Sequence, residues 1–296
     1  MNRIIKQCLT SSLIRTRKFW PDKLYLTILC YLRLNYFINW NHPKTFNEKL
    51  QWLKLYYRDP VWITMVDKFL VKDYVKSIIG SDYIIPTLGV WDSYDKIDFS
   101  VLPDQFVLKC NHNSGGIVIC KDKTQLDLHK TSKIINQSLA QDYFFYEREW
   151  PYKSVNRKIV AEELLVPDDG EDLKDYKFFC FNGQVKCFKI DLDRYTAHRA
   201  NYYDRECNLL GFGEKYYPPL SNREVKMPSN INIMISLAEK LSRNIPFVRV
   251  DFYNVDGKIY FGEMTFFPSG GTCPYTSYSA DLLLGSWLDL PNQSIR

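Results

Sequence analysis

Two runs of strand-forming residues, each interrupted by a single turn dipeptide, constrain the fold of this chain more than any other feature. The first is YKFFCFNGQVKCFKI, residues 176–190, with an Asn-Gly pair beginning at Asn182. The second is PFVRVDFYNVDGKIYFGEMTF, residues 246–266, with an Asp-Gly pair beginning at Asp256. Asn-Gly and Asp-Gly favour two-residue hairpin turns, because both central positions require positive φ. The sequence therefore predicts two long antiparallel hairpins.

The first quarter of the chain carries helical patterns instead. Residues 1 to about 75 are predicted to be mostly helical from the spacing of their apolar positions. Thr45 is followed three residues later by Glu48, which is a capping-box pattern, so a helix is expected to begin there. A second helix is predicted over residues 66–79, with Lys68 in its first turn.

Strands and helices in mixed order are predicted between this region and the hairpins. Residues 106–121 contain two strand-forming runs around the polar turn NHNSGG, and residues 124–146 have a helical pattern. The segment KIVAEELL, residues 158–165, predicts another strand, and a helix is expected over residues 229–243. Because this order is not a regular alternation of parallel strands and helices, the predicted fold class is α+β.

Composition and charge place the chain among globular proteins without indicating a nucleic-acid partner. Hydrophobic residues make up 46% and charged residues 25% of the chain, which is typical of a folded domain. The net charge of +5 is compatible with anionic small-molecule substrates but too small to indicate nucleic acid. The eight cysteines form no C-x-x-C pair and show no zinc-ligand spacing. We therefore expect reduced thiols and a cytosolic protein.

The basic N-terminal segment permits two interpretations. Residues 1–20 contain no uninterrupted apolar stretch and no clear cleavage site of a secretory signal. Residues 24–38 are rich in apolar side chains, but Arg33 and Asn35 make them too short and too polar to span a bilayer. The segment is either an amphipathic helix packed on the domain or a basic helix resting on an anionic membrane surface. The sequence leaves both interpretations open.

Two carboxylates lie on the opposing strands of the second hairpin. Counted from its turn, Asp251 and Glu263 are near neighbours across the strand pair, and each lies in an otherwise apolar run. Buried carboxylates are unfavourable unless a cation neutralises them, and Mg²⁺ is often held by one or two carboxylates together with substrate phosphates. Arg249, two residues before Asp251, is expected on the same face. The alternative is that both carboxylates point to solvent.

The stretch FVLKCNHNSGG, residues 106–116, ends a strand with Lys109 and continues into a turn that contains two glycines. Backbone N–H groups of such a turn can surround phosphate oxygens, and a lysine adds a positive charge. The alternative is an ordinary hairpin turn, because this signal has low specificity by itself. Neither a Walker loop nor a Rossmann fingerprint is present. His112, within the turn, is expected to be solvated.

An ordered set of seven sequence blocks extends over about residues 20 to 285. Through this set the chain resembles the ATP-grasp enzymes, in particular the TupA-like group known from teichuronopeptide and capsule biosynthesis. No single block is decisive, but the order of the set is specific. The blocks are PKTFNEKLQWLKLYYRD, VDKFLVKDYV, FVLKCNHNSGG, KIVAEELL, DYKFFCFNGQVK, VRVDFY and FGEMTFFPSGG.

The resemblance implies an α+β ATP-grasp fold, in which two subdomains grip ATP, preceded by a helical N-terminal region. The chain would then divide into four parts in sequence order. These are a helical region at 1–75, a linking segment at 76–105, a lid subdomain at 106–165, and a core subdomain with the metal-binding hairpin at 166–296.

The resemblance also implies the residues of a nucleotide site. Lysines of the central region and of the lid would bind the phosphates together with the lid turn, while the hinge between the subdomains would receive adenine and ribose. Alternate residues of a strand face opposite sides, so the choice between Glu162 and Glu163 as the residue facing the nucleotide is left open. The implied ATP-binding residues are Lys68, Lys109, Asn113, Ser114, Gly115, Gly116, Glu162, Glu163, Leu165 and Lys177.

A metal site and two catalytic cations follow from the same resemblance. Magnesium, or manganese in its place, would be held by Asp251, Glu263 and Thr265. Many ATP-grasp enzymes have Asn at the last of these positions, so Thr265 is a departure whose hydroxyl has a shorter reach. Arg249 and Lys109 would be the catalytic residues. Arg249 would stabilise the oxygens of the acyl phosphate and of the tetrahedral intermediate, and Lys109 would offset the charge of the phosphates.

Substrate-binding residues are implied in two places. Ser269, Gly270 and Gly271 resemble the loop that holds the acceptor substrate. Arg199 lies in the Arg- and Tyr-rich stretch 193–206, which either binds an anionic sugar acid or is simply a polar loop. The loop is the favoured interpretation of that stretch.

The implied activity is an ATP-dependent ligation of a carboxylate to an amine through an acyl phosphate. The partners would be small molecules, an amino acid or other amine and a uronic acid of a surface polysaccharide, with no nucleic acid involved. The protein would act in the cytoplasm, either free or at the inner face of the membrane. Two other classes stay open: a metal-dependent glycosyltransferase of polysaccharide biosynthesis using Asp191-Leu192-Asp193, and an ATP-grasp kinase.

Overall fold

The computed structural model of the chain describes residues 3–168, 173–193, 196–220 and 225–291. Its α-helices are α1 (Arg3–Arg15), α2 (Asp22–Leu34), α3 (Phe46–Tyr56), α4 (Val61–Val66), α5 (Val71–Ile79), α6 (Leu128–Leu139), α7 (Phe144–Glu147), α8 (Ile231–Leu241) and α9 (Tyr278–Ser286). Its strands are β1 (Thr87–Trp91), β2 (Phe106–Cys110), β3 (Val118–Cys120), β4 (Ile159–Glu163), β5 (Asp175–Phe181), β6 (Gln184–Leu192), β7 (Arg199–Tyr203), β8 (Phe247–Val255) and β9 (Lys258–Thr265). None of the helices in these ranges has the length and apolar character needed to cross a bilayer.

The N-terminal helices pack on one another through a small apolar core. On α2, Tyr25 and Leu29 are buried four residues apart on one helix face, and they cluster with Leu13 of α1. The predicted capping box of α3 is confirmed. Thr45 Oγ1 accepts a hydrogen bond from the Glu48 N–H (3.1 Å), and Glu48 Oε2 accepts one from the Thr45 N–H (3.0 Å). The local sequence therefore fixes where α3 begins.

The first sheet is antiparallel in the order β1–β4–β2–β3, and we call it the lid sheet. Its edge strand β1 comes from residues 76–105, the segment that was expected to link the helical region to the lid. The predicted domain boundaries remain a prediction. Ile135 of α6 packs on Phe106 beneath one face of this sheet. The helix expected over 124–146 is instead two helices, α6 and α7. Gly115 and Gly116 both take positive φ in the β2–β3 turn.

The second sheet is antiparallel in the order β7–β6–β5–β8–β9, and we call it the core sheet. Both predicted hairpins, β5–β6 and β8–β9, are confirmed. Their turn residues Asn182 and Asp256 each have a φ of 51°, as the sequence of the turns requires. Helix α8 packs against β5, β6 and β8 and covers one face of the sheet.

The other face of the core sheet is divided between an apolar end and a charged end. At the apolar end, Phe46 of α3 packs on Phe179, Phe181 and Phe247, with ring centroids 4.8 to 6.5 Å apart. Residues two apart on a strand share a face, so Lys177 of β5 lies on this same face beyond the apolar end. The charged end is where the candidate site lies.

The helix predicted over residues 66–79 is wrong in its first turn. Residues 67–70 separate α4 from α5, so Lys68 lies in a loop. The Asp67 side chain accepts hydrogen bonds from the backbone N–H groups two and three residues ahead (2.8 and 3.1 Å). Such side-chain bonds compete with helix continuation. The loop docks on the lid turn, where the Lys68 N–H donates to the Asn111 carbonyl (3.1 Å).

The stretch 193–206 is not the polar loop that was expected. Apart from residues 194–195, which lie outside the described part of the chain, it contains strand β7, paired with β6 at the edge of the core sheet. Ala200 and Tyr202 of this strand are fully buried. Residues 200–203 are all buried, so the strand lacks the alternating pattern of a half-exposed strand, and histidine and arginine precede its buried part.

Candidate active site

Asp251 and Glu263 face each other directly across the β8–β9 pair. A β-bulge at Gly262 separates this pair from the next one, Phe252 with Phe261. Without the extra residue, Asp251 would stand opposite Gly262 and Glu263 would project from the other face of the sheet. A Cβ atom at Gly262 would approach the Asp251 carbonyl oxygen to 3.1 Å, so this position favours glycine.

Arg249 binds both carboxylates. Its Nε donates to Asp251 Oδ1 (2.7 Å), and its Nη2 donates to Asp251 Oδ2 (2.6 Å) and Glu263 Oε1 (2.9 Å). The same Nη2 donates to Thr265 Oγ1 (3.1 Å), and this hydroxyl donates to Glu263 Oε1 (3.1 Å). These four residues form what we call the hairpin cluster. Asp251 is 2% exposed and does not point to solvent, whereas the Glu263 side chain is 40% exposed.

The oxygen atoms of the hairpin cluster fit a divalent cation. Asp251, Glu263 and Thr265 offer two carboxylates and a hydroxyl, and Mg²⁺ commonly adds water and substrate phosphates to so few protein ligands. Within the described residues, no three His, Cys, Asp or Glu side chains form a ready-made metal centre. Burial raises the pKa of Asp251, but its two bonds to Arg249 favour the ionised carboxylate.

Glu162 holds two lysines on the lid sheet. Its Oε2 lies 2.5 Å from Lys109 Nζ, and its Oε1 lies 2.8 Å from Lys72 Nζ. Burial by itself would raise the pKa of Glu162, but Lys109 and Lys72 lower it below its ordinary value. Glu163 is exposed on the opposite face, so Glu162 is the residue that shares a side with the lysines. We call Lys72, Lys109 and Glu162 the lysine cluster; Lys72 was not predicted from the sequence.

The predicted hinge residues follow the lysine cluster directly. The Glu163 N–H donates to the Pro86 carbonyl (3.2 Å), which ties the end of β4 to the segment before β1. Leu165, two residues further on, is half-buried. The hinge therefore leaves the lid sheet next to the lysines, and its contact with a nucleotide stays a prediction.

Lys68 stands between the lysine cluster and the hairpin cluster. Its Nζ donates to the Asn113 carbonyl in the lid turn. Burial lowers the pKa of Lys68, and the carboxylate of Glu263 opposes that change. Burial would likewise raise the pKa of Glu263, but Lys68 and Arg249 lower it to about 2. The two charges therefore lie close enough to act on each other, which brings a lysine beside the lid turn near a carboxylate of the hairpin cluster.

The lid turn is more deeply buried than expected. His112 is 1% exposed, so the prediction of a solvated histidine is wrong, and burial lowers its pKa to about 4. Asn113 Nδ2 donates to the Ser138 carbonyl (2.9 Å) and hydroxyl (2.8 Å), so the predicted ATP-binding side chain is already occupied. Ser114 and Gly115 are the exposed part of the turn. The backbone that can reach a phosphate begins there.

Lys177 lies beside the hairpin cluster but is held within the core sheet. It stands opposite Asp251 across β5 and β8. Its Nζ contacts Asp175 and lies 2.9 Å from Asp191 Oδ2. Asp191 also lies 3.5 Å from Lys189 Nζ. Asp191, the first carboxylate of the D-x-D string, is therefore neutralised by lysines. Burial alone would raise the pKa of Asp191, but Lys189 and Lys177 lower it far below its ordinary value.

The predicted acceptor loop, Ser269 to Gly271, is packed against the helical region. Its three residues all have positive φ, between 52° and 62°. Lys54 Nζ donates to the Gly270 carbonyl (2.6 Å), and Gln51 Nε2 donates to the Gly271 carbonyl (2.6 Å). Both glycines are buried and only Ser269 is exposed. Packing accounts for the glycines, and substrate binding by the loop stays a prediction.

Arg199 lies far from the hairpin cluster, and substrate binding by Arg199 stays a prediction. β7 and β9 form opposite edges of the core sheet, four strand spacings or about 19 Å apart. Arg199 pairs with Leu192 of β6, so it shares a face with Leu192 and not with Asp191. The sequence alone did not reveal β7, so it gave no indication of this position.

Sequence reasoning missed three residues around α7: Tyr143 before the helix, and Glu149 and Tyr152 after it. The rings of Tyr143 and Tyr152 meet edge to face with centroids 4.9 Å apart. Between them in sequence, Glu149 is 4% exposed, and its charge interacts with those of Glu263 and Arg249. Nothing in the local pattern EREWPY marks a functional carboxylate, because the inward direction of Glu149 depends on contacts with distant residues.

Comparison with known proteins gives one family. Residues 48–289 match the family model described as TupA-like ATPgrasp. A search of curated proteins gave no match. Solved structures with similarity include D-alanine–D-alanine ligase from Helicobacter pylori, at 13% identity over 84% of this chain and 68% of that chain, with a TM-score of 0.46.

Two further solved structures are similarly distant. One is N5-carboxyaminoimidazole synthetase from Staphylococcus aureus complexed with ADP, at 16% identity over 82% of this chain and 59% of that chain, with a TM-score of 0.42. The other is D-alanine–D-alanine ligase from Bacillus anthracis complexed with ATP, at 13% identity, 69% and 54% coverage and a TM-score of 0.41. This chain thus spans between about half and two thirds of their lengths. All three TM-scores lie below 0.5, so the assignment rests on the family match, which covers most of the chain. This protein belongs to the TupA-like ATP-grasp family, and its α+β fold is an ATP-grasp fold.

Proposed function

We propose that this protein binds Mg²⁺-ATP in the cleft between the lid sheet and the core sheet and uses it to join a carboxylate to an amine. The observation that carries the proposal is the place of Lys68, which contacts the lid turn through the Asn113 carbonyl and shares its electrostatic environment with Glu263. The lysines that would bind the phosphates of ATP therefore lie near the oxygen atoms that would bind its metal ion.

The lid side of the cleft supplies the groups for the phosphates. Lys68 and Lys109 would place two ammonium groups near the phosphate oxygens, and the exposed backbone from Ser114 onward would donate N–H groups. Glu162 orients Lys109 through its 2.5 Å contact. The hinge at Glu163 and Leu165 would receive the adenine and ribose.

The hairpin cluster supplies the metal ligands and a fixed cation. Asp251, Glu263 and Thr265 would hold Mg²⁺, or Mn²⁺, which would neutralise phosphate charge during the reaction. Arg249 is held by Asp251 through two hydrogen bonds, so its guanidinium is preorganised. A preorganised cation stabilises negative charge as it develops, without first reorganising its surroundings.

Two chemical steps follow from this arrangement. An oxygen of the substrate carboxylate attacks the γ-phosphorus of ATP, the bond to the bridging oxygen breaks, and ADP leaves with that electron pair. An amine then attacks the carbonyl carbon of the acyl phosphate, giving an amide and inorganic phosphate. In line with the family, we propose an amino acid or peptide as the amine and a uronic acid of a surface polysaccharide as the carboxylate.

The test is ADP release by purified protein with Mg²⁺-ATP across a panel of amino acids and hexuronic acids. We expect release that requires both a carboxylate and an amine. Glu263→Gln should lower it by about 100-fold or more, because the metal loses a charged ligand, while the exposed Glu206→Gln serves as a matched control. Full activity in Glu263→Gln would overturn the metal assignment.

The same assay separates the other enzyme classes. ADP release with a hydroxyl acceptor and no amine would show a kinase. Consumption of a sugar nucleotide would show a glycosyltransferase, which the structure disfavours because Asp191 is already bound by Lys177 and Lys189.

Helix α1 supports a proposed contact with an anionic membrane surface. Ile4, Ile5 and Leu9 are 67%, 51% and 46% exposed and lie on one side of the helix, with the exposed basic side chains of Arg15 and Lys18 nearby. We expect the protein to sediment with phosphatidylglycerol vesicles more than with phosphatidylcholine vesicles. The double change Ile5→Glu and Leu9→Glu should abolish that difference, and unchanged sedimentation of the variant would exclude this contact.

A further inference from the structure

The segment that follows α7 is anchored so that one carboxylate points inward. Arg148 is 1% exposed and has a left-handed φ of 57°. Its guanidinium donates to the carbonyls of Phe145 (2.7 Å) and Arg17 (2.6 Å) and lies 2.6 Å from Asp22 Oδ1. A buried arginine with this many partners fixes the backbone turn, and Glu149 follows it directly.

Glu149 is a buried carboxylate without a direct partner. It is 4% exposed, yet no hydrogen bond or ion pair joins its carboxylate to another residue of the described ranges. Lys54 is the cation that most affects it, but Lys54 Nζ donates to the carbonyls of Glu147 (2.7 Å) and Gly270 (2.6 Å). Other buried carboxylates have direct partners: Glu162 contacts two lysines, and Asp67 accepts hydrogen bonds from backbone N–H groups. A buried carboxyl group without a direct partner can bind a ligand that brings a positive charge, which would favour its ionised form.

The surroundings of Glu149 face the proposed reaction centre. Tyr143 and Tyr152 are half-buried, and their rings stand edge to face beside it. Burial and the charge of Glu149 raise the pKa of Tyr143, while Ser114 of the lid turn lowers it. The pKa of Tyr152 is raised mainly by burial, then by Glu149, and is also affected by Glu263.

Contacts place this group of residues near both the lid turn and the hairpin cluster. Asn113 Nδ2 of the lid turn donates to the side-chain oxygen of Gln141 (3.3 Å), two residues before Tyr143. Trp62 stacks on Trp150, next to Glu149, and on Phe266, next to Thr265.

We propose that Glu149, Tyr143 and Tyr152 form the subsite that receives the amine substrate as an ammonium ion. This inference rests on the proposed ligase function. An ammonium ion would form an ion pair with the carboxylate and would also be attracted by the faces of the two tyrosine rings. An amine bound there would approach from the side of the lid turn, opposite the strands that carry the metal ligands.

Glu149 would also take the proton that the ammonium ion must lose. One proton passes from nitrogen to the Glu149 carboxylate, which leaves a free lone pair. Nitrogen then forms a bond to the carbonyl carbon, the carbon–oxygen bond to phosphate breaks, and phosphate leaves with that electron pair. The second proton on nitrogen goes to the departing phosphate, which leaves as hydrogen phosphate.

The acidity of Glu149 suits this role. Burial raises the pKa of Glu149 to about 8 against the opposing effect of Lys54, and a base works best when its pKa lies near the working pH. Other charged or titratable groups acting on it come from the flanking helices and from the hairpin cluster. They are Lys54, Glu147, Glu263 and Arg249, together with Tyr143 and Tyr152.

The test compares wild-type protein with Glu149→Gln, which keeps the size of the side chain. With a carboxylate that supports ADP release, we expect the KM for the amine to rise about 10- to 100-fold, as for loss of a charged hydrogen bond. The KM for ATP and the amount of acyl phosphate, trapped as hydroxamate, should stay within about 2-fold. Glu206→Gln is the control. An unchanged KM for the amine, or an equal loss of acyl phosphate, would overturn the proposal.

The melting temperature of the variants is a second measurement, and it distinguishes a substrate-binding role of Glu149 from a purely structural one. If Glu149 only stabilised Lys54, Glu149→Gln would lower the melting temperature. If Glu149 is instead a ligand-binding carboxylate without a partner, Glu149→Gln should leave the melting temperature unchanged or raise it. Tyr152→Leu, which removes one ring, should also raise the KM for the amine and should not affect acyl phosphate formation. Equal effects on both steps in that variant would contradict the subsite.

Failure of the ligase function would be distinguishable from failure of the subsite. If no pair of carboxylate and amine releases ADP from the wild-type protein, the proposed function is wrong. The subsite is then tested by binding alone, with ethylammonium chloride as the probe and potassium chloride at equal ionic strength as the control. Ethylammonium should raise the melting temperature of the wild-type protein and not that of Glu149→Gln, and equal shifts would exclude the subsite.

Discussion

The lysine cluster of the lid sheet and the hairpin cluster of the core sheet are built in opposite ways. In the first, one carboxylate, Glu162, binds two lysines. In the second, one guanidinium, Arg249, binds two carboxylates. One side of the cleft therefore carries an excess of positive charge and the other an excess of negative charge. The first suits phosphate oxygens and the second suits a divalent cation, so the pair of clusters matches the two charged parts of a metal–nucleotide complex.

The two clusters also differ in the backbone elements that carry their side chains. The hairpin cluster is formed by adjacent, paired strands of one sheet, whose ladder is interrupted by the bulge at Gly262. The lysine cluster joins β2, β4 and α5, and Lys68 reaches it from a loop. Elements from separate parts of the chain can move relative to one another more easily than paired strands. We expect the hairpin cluster to be the rigid side of the site and the lysine cluster to adjust when a nucleotide binds.

Removal of one carboxylate from the hairpin cluster should have the largest effect. Asp251→Asn would leave Arg249 buried with only Glu263 as a charged partner among the four residues of the cluster. We expect a loss of about 3 kcal/mol in the free energy of unfolding, together with loss of ADP release. Urea unfolding measures the first effect and the coupled assay the second. Stability equal to that of Glu206→Gln would show that Asp251 does not hold Arg249 in place.

A matching change in the lysine cluster should have a smaller effect that depends on pH. Glu162→Gln leaves Lys72 and Lys109 without their shared carboxylate, and we expect a loss of about 2 kcal/mol at neutral pH. The pKa of Glu162 is lowered in the folded protein, so its contribution is fully present above about pH 4.5 and is lost as the pH falls below that value.

Urea unfolding of wild type and Glu162→Gln between pH 7 and pH 3.5 measures this difference. The two curves of stability against pH should lie apart at neutral pH and converge in acid. A difference that stays constant down to pH 3.5 would contradict the ion pairs at Glu162, because an uncharged contact would not titrate there.

Local patterns in the sequence predicted the parts of the fold that depend on neighbouring residues. The hairpin turns at Asn182 and Asp256 were predictable because few dipeptides accept positive φ at both positions. The start of α3 was predictable because Thr45 and Glu48 satisfy each other's backbone N–H groups. The family resemblance then named Lys68, Lys109 and the residues of the hairpin cluster, and their roles in ligand binding remain a prediction.

Errors arose where burial or a distant contact decided the outcome. His112 was expected in solvent, but the lid turn packs on α6 and buries it. Lys68 was expected in a helix, but Asp67 ends that helix by binding nearby backbone N–H groups and also accepts a hydrogen bond from Asn111 (2.8 Å). Glu149 was not predicted at all, because only its anchoring through Arg148 turns it inward.

The sequence by itself determined the family, the two hairpins and the kinds of charged groups at the site, since turn dipeptides and caps act over a few residues. Only the tertiary structure decided which of these charges meet. The bulge at Gly262 brings Glu263 onto the face of Asp251, and strand pairing places Glu162 rather than Glu163 beside Lys109. The physical reason is that side-chain direction on a strand changes with every residue, so register and bulges, which depend on packing far along the chain, determine which side chains share a cleft.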